Sequence, residues 1–330
     1  MNARYVYRHH LIVGLLLVML VALASCRRVG PEIGPTLQPT LTPTPRSTPL
    51  PPVNTEIPPG AEDNPLVMLF TRPPGSRSEV SDAFDALAAE MLSAANLTIT
   101  ARAVTSGADA LEALCDSYGD TSAVAWVDAI TYAAAQAQGC GSASLFVERS
   151  IAGRATSGVT VQVIVNTNSE ISSLSDLAGQ TFCRLNVADL YTWIVPALMM
   201  SASGVLPVAL GGIEDYDSLS DMVGDVANGT CDAAGIAAVD YADLETSRAR
   251  ALSQTVVVPF AVLVMPDAVP LGTRSAVRDT LLAIAADSER STILTPLLDQ
   301  SRLLPADDAA LDGWNDFIRA TRLNFAELGE

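Results

Sequence analysis

Five cysteines, Cys26, Cys115, Cys140, Cys183 and Cys231, are the residues of this 330-residue sequence whose chemistry depends most on their surroundings. A thiol can bind a metal, attack a substrate, pair into a disulfide or take a modification. A metal site asks for closely spaced ligands, and no two of these cysteines are close in sequence. Nucleophilic attack asks for a base, but both histidines, His9 and His10, precede Cys26. Lysine is absent, so all 19 basic residues are arginine. From Cys26 onward this excludes Ser-His-Asp and Cys-His catalysis, histidine metal sites, Schiff bases and a P-loop lysine. The expectation is no enzyme, no metal and no cofactor.

Cys26 differs from the other four in its neighbours. Arg4 and Arg8 precede an apolar run, Leu11–Ala24, that closes on Leu23-Ala24-Ser25-Cys26. The run has signal-peptide length and is short of the roughly 20 residues of a membrane span. Its close resembles the bacterial lipobox, in which the cysteine thiol is acylated and cleavage falls just before it. Residues 1–25 are therefore expected to be a lipoprotein signal, and Cys26 a lipid-bearing terminus with enough acyl chains for stable anchoring. The alternative is an ordinary export signal with an incidental cysteine. Residues 26–62 follow as a Pro/Thr-rich stalk with almost no apolar bulk, favouring extended conformations. Without Arg4 and Arg8, 17 arginines face 37 acids, a net charge of −20 that disfavours nucleic-acid phosphates.

The elements that must position any site begin near residue 63. The remaining 268 or so residues suit one large domain or two lobes. PLVMLFT (65–71) is a short apolar strand, and SEVSDAFDALAAEMLSAA places Val80, Phe84, Leu87, Met91 and Leu92 on one helical face. NLTITARAV, GADALEALCDSYG, TSAVAWV and DAITYAAAQAQGC continue as strand, helix, strand, helix. That alternation predicts an α/β fold with parallel sheets covered by helices. GVTVQVIVNT (158–167) and TVVVPFAVLVMP (255–266) are long strands suited to crossing between lobes and returning. The expected organisation is residues 63–157 in lobe 1, 158–254 in lobe 2, and 255–330 returning to lobe 1 with C-terminal helices.

With Cys26 assigned to lipid, four cysteines in an exported chain allow three pairings. Cys115 and Cys140 follow two helices flanking one strand of the first lobe. Cys183 and Cys231 lie near the starts of two strands of the second. Disulfides Cys115–Cys140 and Cys183–Cys231 follow, closing loops of 25 and 48 residues. The alternative is four buried free thiols.

GQTFCRLNVADLYTWIVPALMMSASGV, DSLSDMVGDVANGTCDAAGI and VVVPFAVLVMPDAVP together resemble the phosphate/phosphite/phosphonate-binding components of ABC transporters. The similarity runs from about Pro65 to Phe325. It implies a type 2 periplasmic-binding fold: two α/β lobes, each a mostly parallel sheet flanked by helices, with two crossing strands as hinge. It also implies a ligand clamped between the lobes, and a membrane permease and ATPase as partners. The expected protein is a monomer that binds a small polar molecule outside the cytoplasm. The family's Ser-Thr-Ser-Gly run, whose hydroxyls and helix amides cradle an anion, is replaced here by Asp189-Leu190-Tyr191-Thr192. Its Ser-His pair becomes Ser218-Leu219.

Ligands of open α/β sheets bind at the carboxyl ends of strands. That rule selects Thr71 and Arg72, then Trp126, Asp128 and Tyr132, then Asn186, Asp189, Tyr191 and Thr192, then Asp240 and Tyr241. Arg72 either pairs with an anionic group or is an ordinary exposed arginine. Trp126 either walls the cleft or packs in the core, and Asp128 doubles as a helix N-cap. A neutral or cationic ligand fits this set at least as well as a phosphonate. Two other classes compete with transport: an enzyme on the same fold resembling a pyrimidine-precursor synthase, and a sensor module that has lost transport.

Overall fold

A computed structural model describes residues 57–117, 122–151, 153–244, 247–299, 302–306 and 308–325. Cys26, the expected export signal and the expected stalk up to residue 56 lie outside the described residues.

Strand β1 (Leu66–Thr71) is apolar along its length because both of its faces are covered. It pairs in parallel with β2 (Ile99–Val104) on one side and β3 (Ala123–Val127) on the other. Helices α1 (Arg77–Ala95), α2 (Gly107–Cys115) and α3 (Ala129–Gln138) make the crossovers. Each starts on a side chain that caps its amides: Ser76 and Ser106 in capping boxes with Glu79 and Asp109, and Asp128 alone. β4 (Ser142–Ile151), β5 (Arg154–Thr156), β11 (Val262–Met265) and β12 (Arg302–Pro305) complete the first sheet by antiparallel pairing, in the order β12-β4-β11-β3-β1-β2, with β5 on β4. The sequence reading passed over β4, which sits between β11 and β12.

The second sheet has the order β10-β6-β9-β7-β8. β6 (Gly158–Asn166) and β10 (Ala249–Pro259) pair antiparallel, and β7 (Thr181–Arg184) pairs in parallel with β8 (Gly212–Asp215) and β9 (Ala233–Ala237). Both faces of its central strands β6 and β9 are buried, and successive β6 side chains turn to different cores with period two. Val161, Val163 and Val165 join the large core shared with the first lobe. Ile164, with Ile236, joins a smaller cluster under Met222, Val223 and Val226 of α5 (Leu219–Asn228).

β6 lies wholly within the second sheet. The 255–266 run divides, ending β10 at Pro259 and starting β11 at Val262. The chain thus changes sheets at Ser157 and at Phe260–Ala261, and these crossings bond each other: Phe260 N donates to Ser157 O at 3.0 Å. Gly158 is required there, since a Cβ would stand 2.5 Å from Val258 O.

In lobe 2 one turn of π-helix (Leu190–Ile194) leads into α4 (Val195–Ala202). It packs so closely on β9 that a Cβ on Gly235 would fall 2.2 Å from Pro196 Cγ. α6 (Ala238–Asp243) follows β9, and α7 (Leu271–Ala286) and α8 (Thr295–Leu298) follow β11. The last helix, α9 (Asp312–Thr321), packs on α4 and β10, while Trp314 Nε1 donates to Ala129 O in α3. Disulfides Cys115–Cys140 and Cys183–Cys231 are both formed. The first joins the C-terminal ends of α2 and α3. Among the described residues no helix is long and apolar enough to cross a membrane.

Candidate functional site

Where β1 and β3 end, facing the π turn of lobe 2, a cleft of about 530 Å3 opens. Lobe 1 supplies Thr71, Arg72, Trp126, Asp128 and Arg149, lobe 2 supplies Leu190, Tyr191 and Ile194, and the return crossing supplies Pro259, Phe260 and Ala261.

Thr71 closes β1, and its Oγ1 is buried without a protein partner. Arg72 has a left-handed backbone, φ 49°. Its N donates to Val104 O and its Nε to Thr105 O at 3.0 Å, which ties the side chain to the rim. Trp126 is both wall and core: it is 2% exposed and lines the cleft, with Nε1 unpartnered. Asp128 accepts from Thr131 N at 2.8 Å as the cap of α3.

Tyr191 reaches the cleft from lobe 2. Burial pushes its hydroxyl above the ordinary tyrosine range; the charge of Arg149 pulls it down, and Asp189 and Asp240 push it up. Asp189 caps the π turn, its Oδ1 accepting from Tyr191 N at 3.0 Å and Thr192 N at 2.7 Å. Asp240 is raised by burial first, then by Asp243 and Asp189. Neither acid is among the lining residues.

Four of the residues selected from sequence face elsewhere. Tyr132 is fully buried in the core on α3, one helical turn past the cap, so its ring is carried into the core. Thr192 is 3% exposed, and its Oγ1 accepts from Leu185 N, which braces the loop. Tyr241 turns to the smaller core cluster, its hydroxyl donating to Ala249 O. Asn186 is exposed and accepts from Ala188 N within its own turn.

Arg149 was missed, because it stands near the end of β4, the strand passed over in sequence. Its guanidinium lies over the Phe260 ring at 4.5 Å, and Nη1 is 3.7 Å from Asp299 Oδ2. Its Nε is buried without a protein partner. Leu297, Leu298 and Asp299, also lining residues, carried no local signal. Arg184 is held away from the cleft, bonding Asp215 at 2.6 Å and stacking on Trp193. Among the described residues, no group of three or more His, Cys, Asp or Glu side chains is placed to hold a metal ion.

A family model described as "ABC transporter, phosphonate, periplasmic substrate-binding protein" matches residues 71–311, most of the chain. The chain belongs to this family. Membership makes it an extracytoplasmic substrate-binding component, with a small-molecule ligand and with permease and ATPase subunits as partners. Among solved structures, XAC2383 from Xanthomonas citri bound to ATP is similar with a TM-score of 0.56 and 17% identity, covering 80% of this chain and 99% of that one. The same protein bound to chloride ion gives 0.54 and 16%, covering 78% and 96%. A binding protein component of an ABC phosphonate transporter from Pseudomonas aeruginosa gives 0.48 and 18%, covering 79% and 87%. At these identities the likeness is one of fold. No curated protein sequence matches the chain.

Proposed function

We propose that this protein is a lipid-anchored binding component of an ABC importer, holding a small polar molecule in the interlobe cleft and presenting it to its permease. One observation carries this reading. Thr71 Oγ1, Trp126 Nε1 and Arg149 Nε are buried, have no protein partner, and belong to residues lining the same cleft. Buried polar groups are nearly always bonded, so three such groups around one cavity ask for a ligand to complete them. Tyr191 from lobe 2 and Phe260 from the crossing stand on the same cleft, so a bound molecule touches both lobes and the hinge. The cleft binds and releases without reaction, in keeping with a chain that has no histidine after His10 and no lysine. Cys26 and the stalk keep the domain near the membrane.

A thermal-shift screen of the purified protein over phosphate, phosphite, phosphonates, amines and thiamine-like compounds tests the binding reading. A ligand that raises Tm and reduces the radius of gyration in small-angle scattering supports capture by closure. A chain that shifts with nothing in the panel counts against it. For the anchor, Cys26→Ser is expected to release the protein from the membrane fraction with its domain still folded. Unchanged fractionation, with no lipid mass on Cys26, refutes the anchor.

A further inference from the structure

Of the three buried, unpartnered groups on residues that line the cleft, two can only donate: the indole N–H of Trp126 and the Nε–H of Arg149. The third, Thr71 Oγ1, donates or accepts. A ligand that satisfies all three therefore presents several acceptor lone pairs. Charge narrows the choice. Arg72 lines the cleft but spends its Nε on Thr105 O. Arg149 is already approached by Asp299, and Asp128 also lines the cleft. The two lining arginines, Arg72 and Arg149, are offset by Asp128 and Asp299, so the lining carries no net positive charge to hold a dianion, while the unpartnered Nε–H of Arg149 leaves a charged donor for one anionic oxygen. Lobe 2 adds no anion site at the π turn, because Asp189 already occupies the amides of Tyr191 and Thr192. Apart from Thr131, the rest of the lining is apolar or aromatic, with Trp126, Tyr191, Phe260, Leu190 and Ile194 on the walls.

The geometry points to a cleft that selects an organic monoanion, a carboxylate or sulfonate on an aromatic or apolar body, and rejects phosphate-like dianions. The oxyanion takes the donors of Thr71, Trp126 and Arg149, and the body lies against Tyr191 and Phe260. This rests on the reading of the cleft as a ligand site.

Calorimetry on the full-length protein, in mildly alkaline buffer so that the phosphorus acids are dianions, tests it with four probes: phenylacetate, benzenesulfonate, inorganic phosphate and methylphosphonate. One of the first two is expected to bind at least about tenfold tighter than either of the last two. Arg149→Met and Thr71→Val are each expected to weaken that binding about tenfold, and Trp126→Phe similarly, with circular dichroism confirming the fold. Thr71→Val keeps the shape of the side chain, so it remains informative if Trp126→Phe does not fold. Methylphosphonate or phosphate binding tighter than both monoanions overturns the inference and leaves the transport reading standing. So does a thermal-shift hit for an amine when none of the four probes binds. Affinity for the monoanion that is untouched by Arg149→Met and Thr71→Val overturns the donor assignment. Failure of every compound in both experiments overturns inference and function together.

Discussion

The guanidinium of Arg149 lies 4.5 Å from the centroid of the Phe260 ring. Arg149 belongs to the first lobe, and Phe260 is the residue at which the chain returns from the second. Arg149, whose Nε is buried while its side chain is 32% exposed, is thus held by the crossing itself, so a change at the crossing is felt at the cleft. Phe260→Leu keeps apolar bulk but removes the ring face. It is expected to cost about 1 kcal/mol of stability in urea unfolding, and to weaken ligand binding as Arg149 loses its support. Unchanged affinity in this variant separates hinge from site.

Asp189 closes the π turn from within. At an effective dielectric near 20, two unit charges about 4 Å apart repel by roughly 4 kcal/mol, which is about a thousandfold in affinity. Asp189→Ser removes the charge, and its shorter hydroxyl caps one of the two turn amides that Asp189 Oδ1 holds, leaving the other available. Phosphate binding measured by calorimetry is expected to rise by at least about tenfold over wild type. Micromolar phosphonate binding by wild type that is lost in Asp189→Ser contradicts this.

The disulfides close loops of 25 and 48 residues. In the chain-entropy model, removing Cys115–Cys140 costs about 3 kcal/mol and removing Cys183–Cys231 about 4 kcal/mol. Paired Cys→Ala variants, unfolded in urea, are expected to lose stability in that order. Non-reducing peptide mapping is expected to recover these two links, and a crossed peptide contradicts the pairing.

Asp240 is raised mainly by burial and then by Asp243 and Asp189. A carboxyl raised in the folded state favours folding in its protonated form. Its contribution is therefore fully present below the unfolded pKa of about 3.9 and is lost as pH rises through the folded value. Asp240→Asn is expected to raise Tm at neutral pH and to leave it unchanged near about pH 3. An equal gain at both pH values assigns the effect to something other than ionisation.

The sequence by itself determined the features that depend on near neighbours along the chain. The helix over 77–95 follows from the spacing of Val80, Phe84, Leu87 and Met91, although Leu92, placed on the same face, is 53% exposed. The capping role of Asp128 is equally local, since a side chain there reaches an amide three residues on. The cysteine pairs were legible because each flanks elements whose order the pattern of β and α already set. Carboxyl ends of strands put Thr71, Arg72, Trp126, Asp128 and Tyr191 on the cleft. Tertiary structure alone decided the rest. β4 gains its place from pairing with β11 and β12, whose residues lie more than a hundred positions away. Arg149 therefore becomes a cleft residue only once those strands meet, and no local pattern marks it. Tyr132 and Thr192 sit as close in sequence to the cleft as Asp128 and Tyr191 do, yet helix rotation turns one into the core and the other against Leu185. Which side of a turn faces a partner lobe depends on where that lobe packs, and that is settled by burial across the whole molecule.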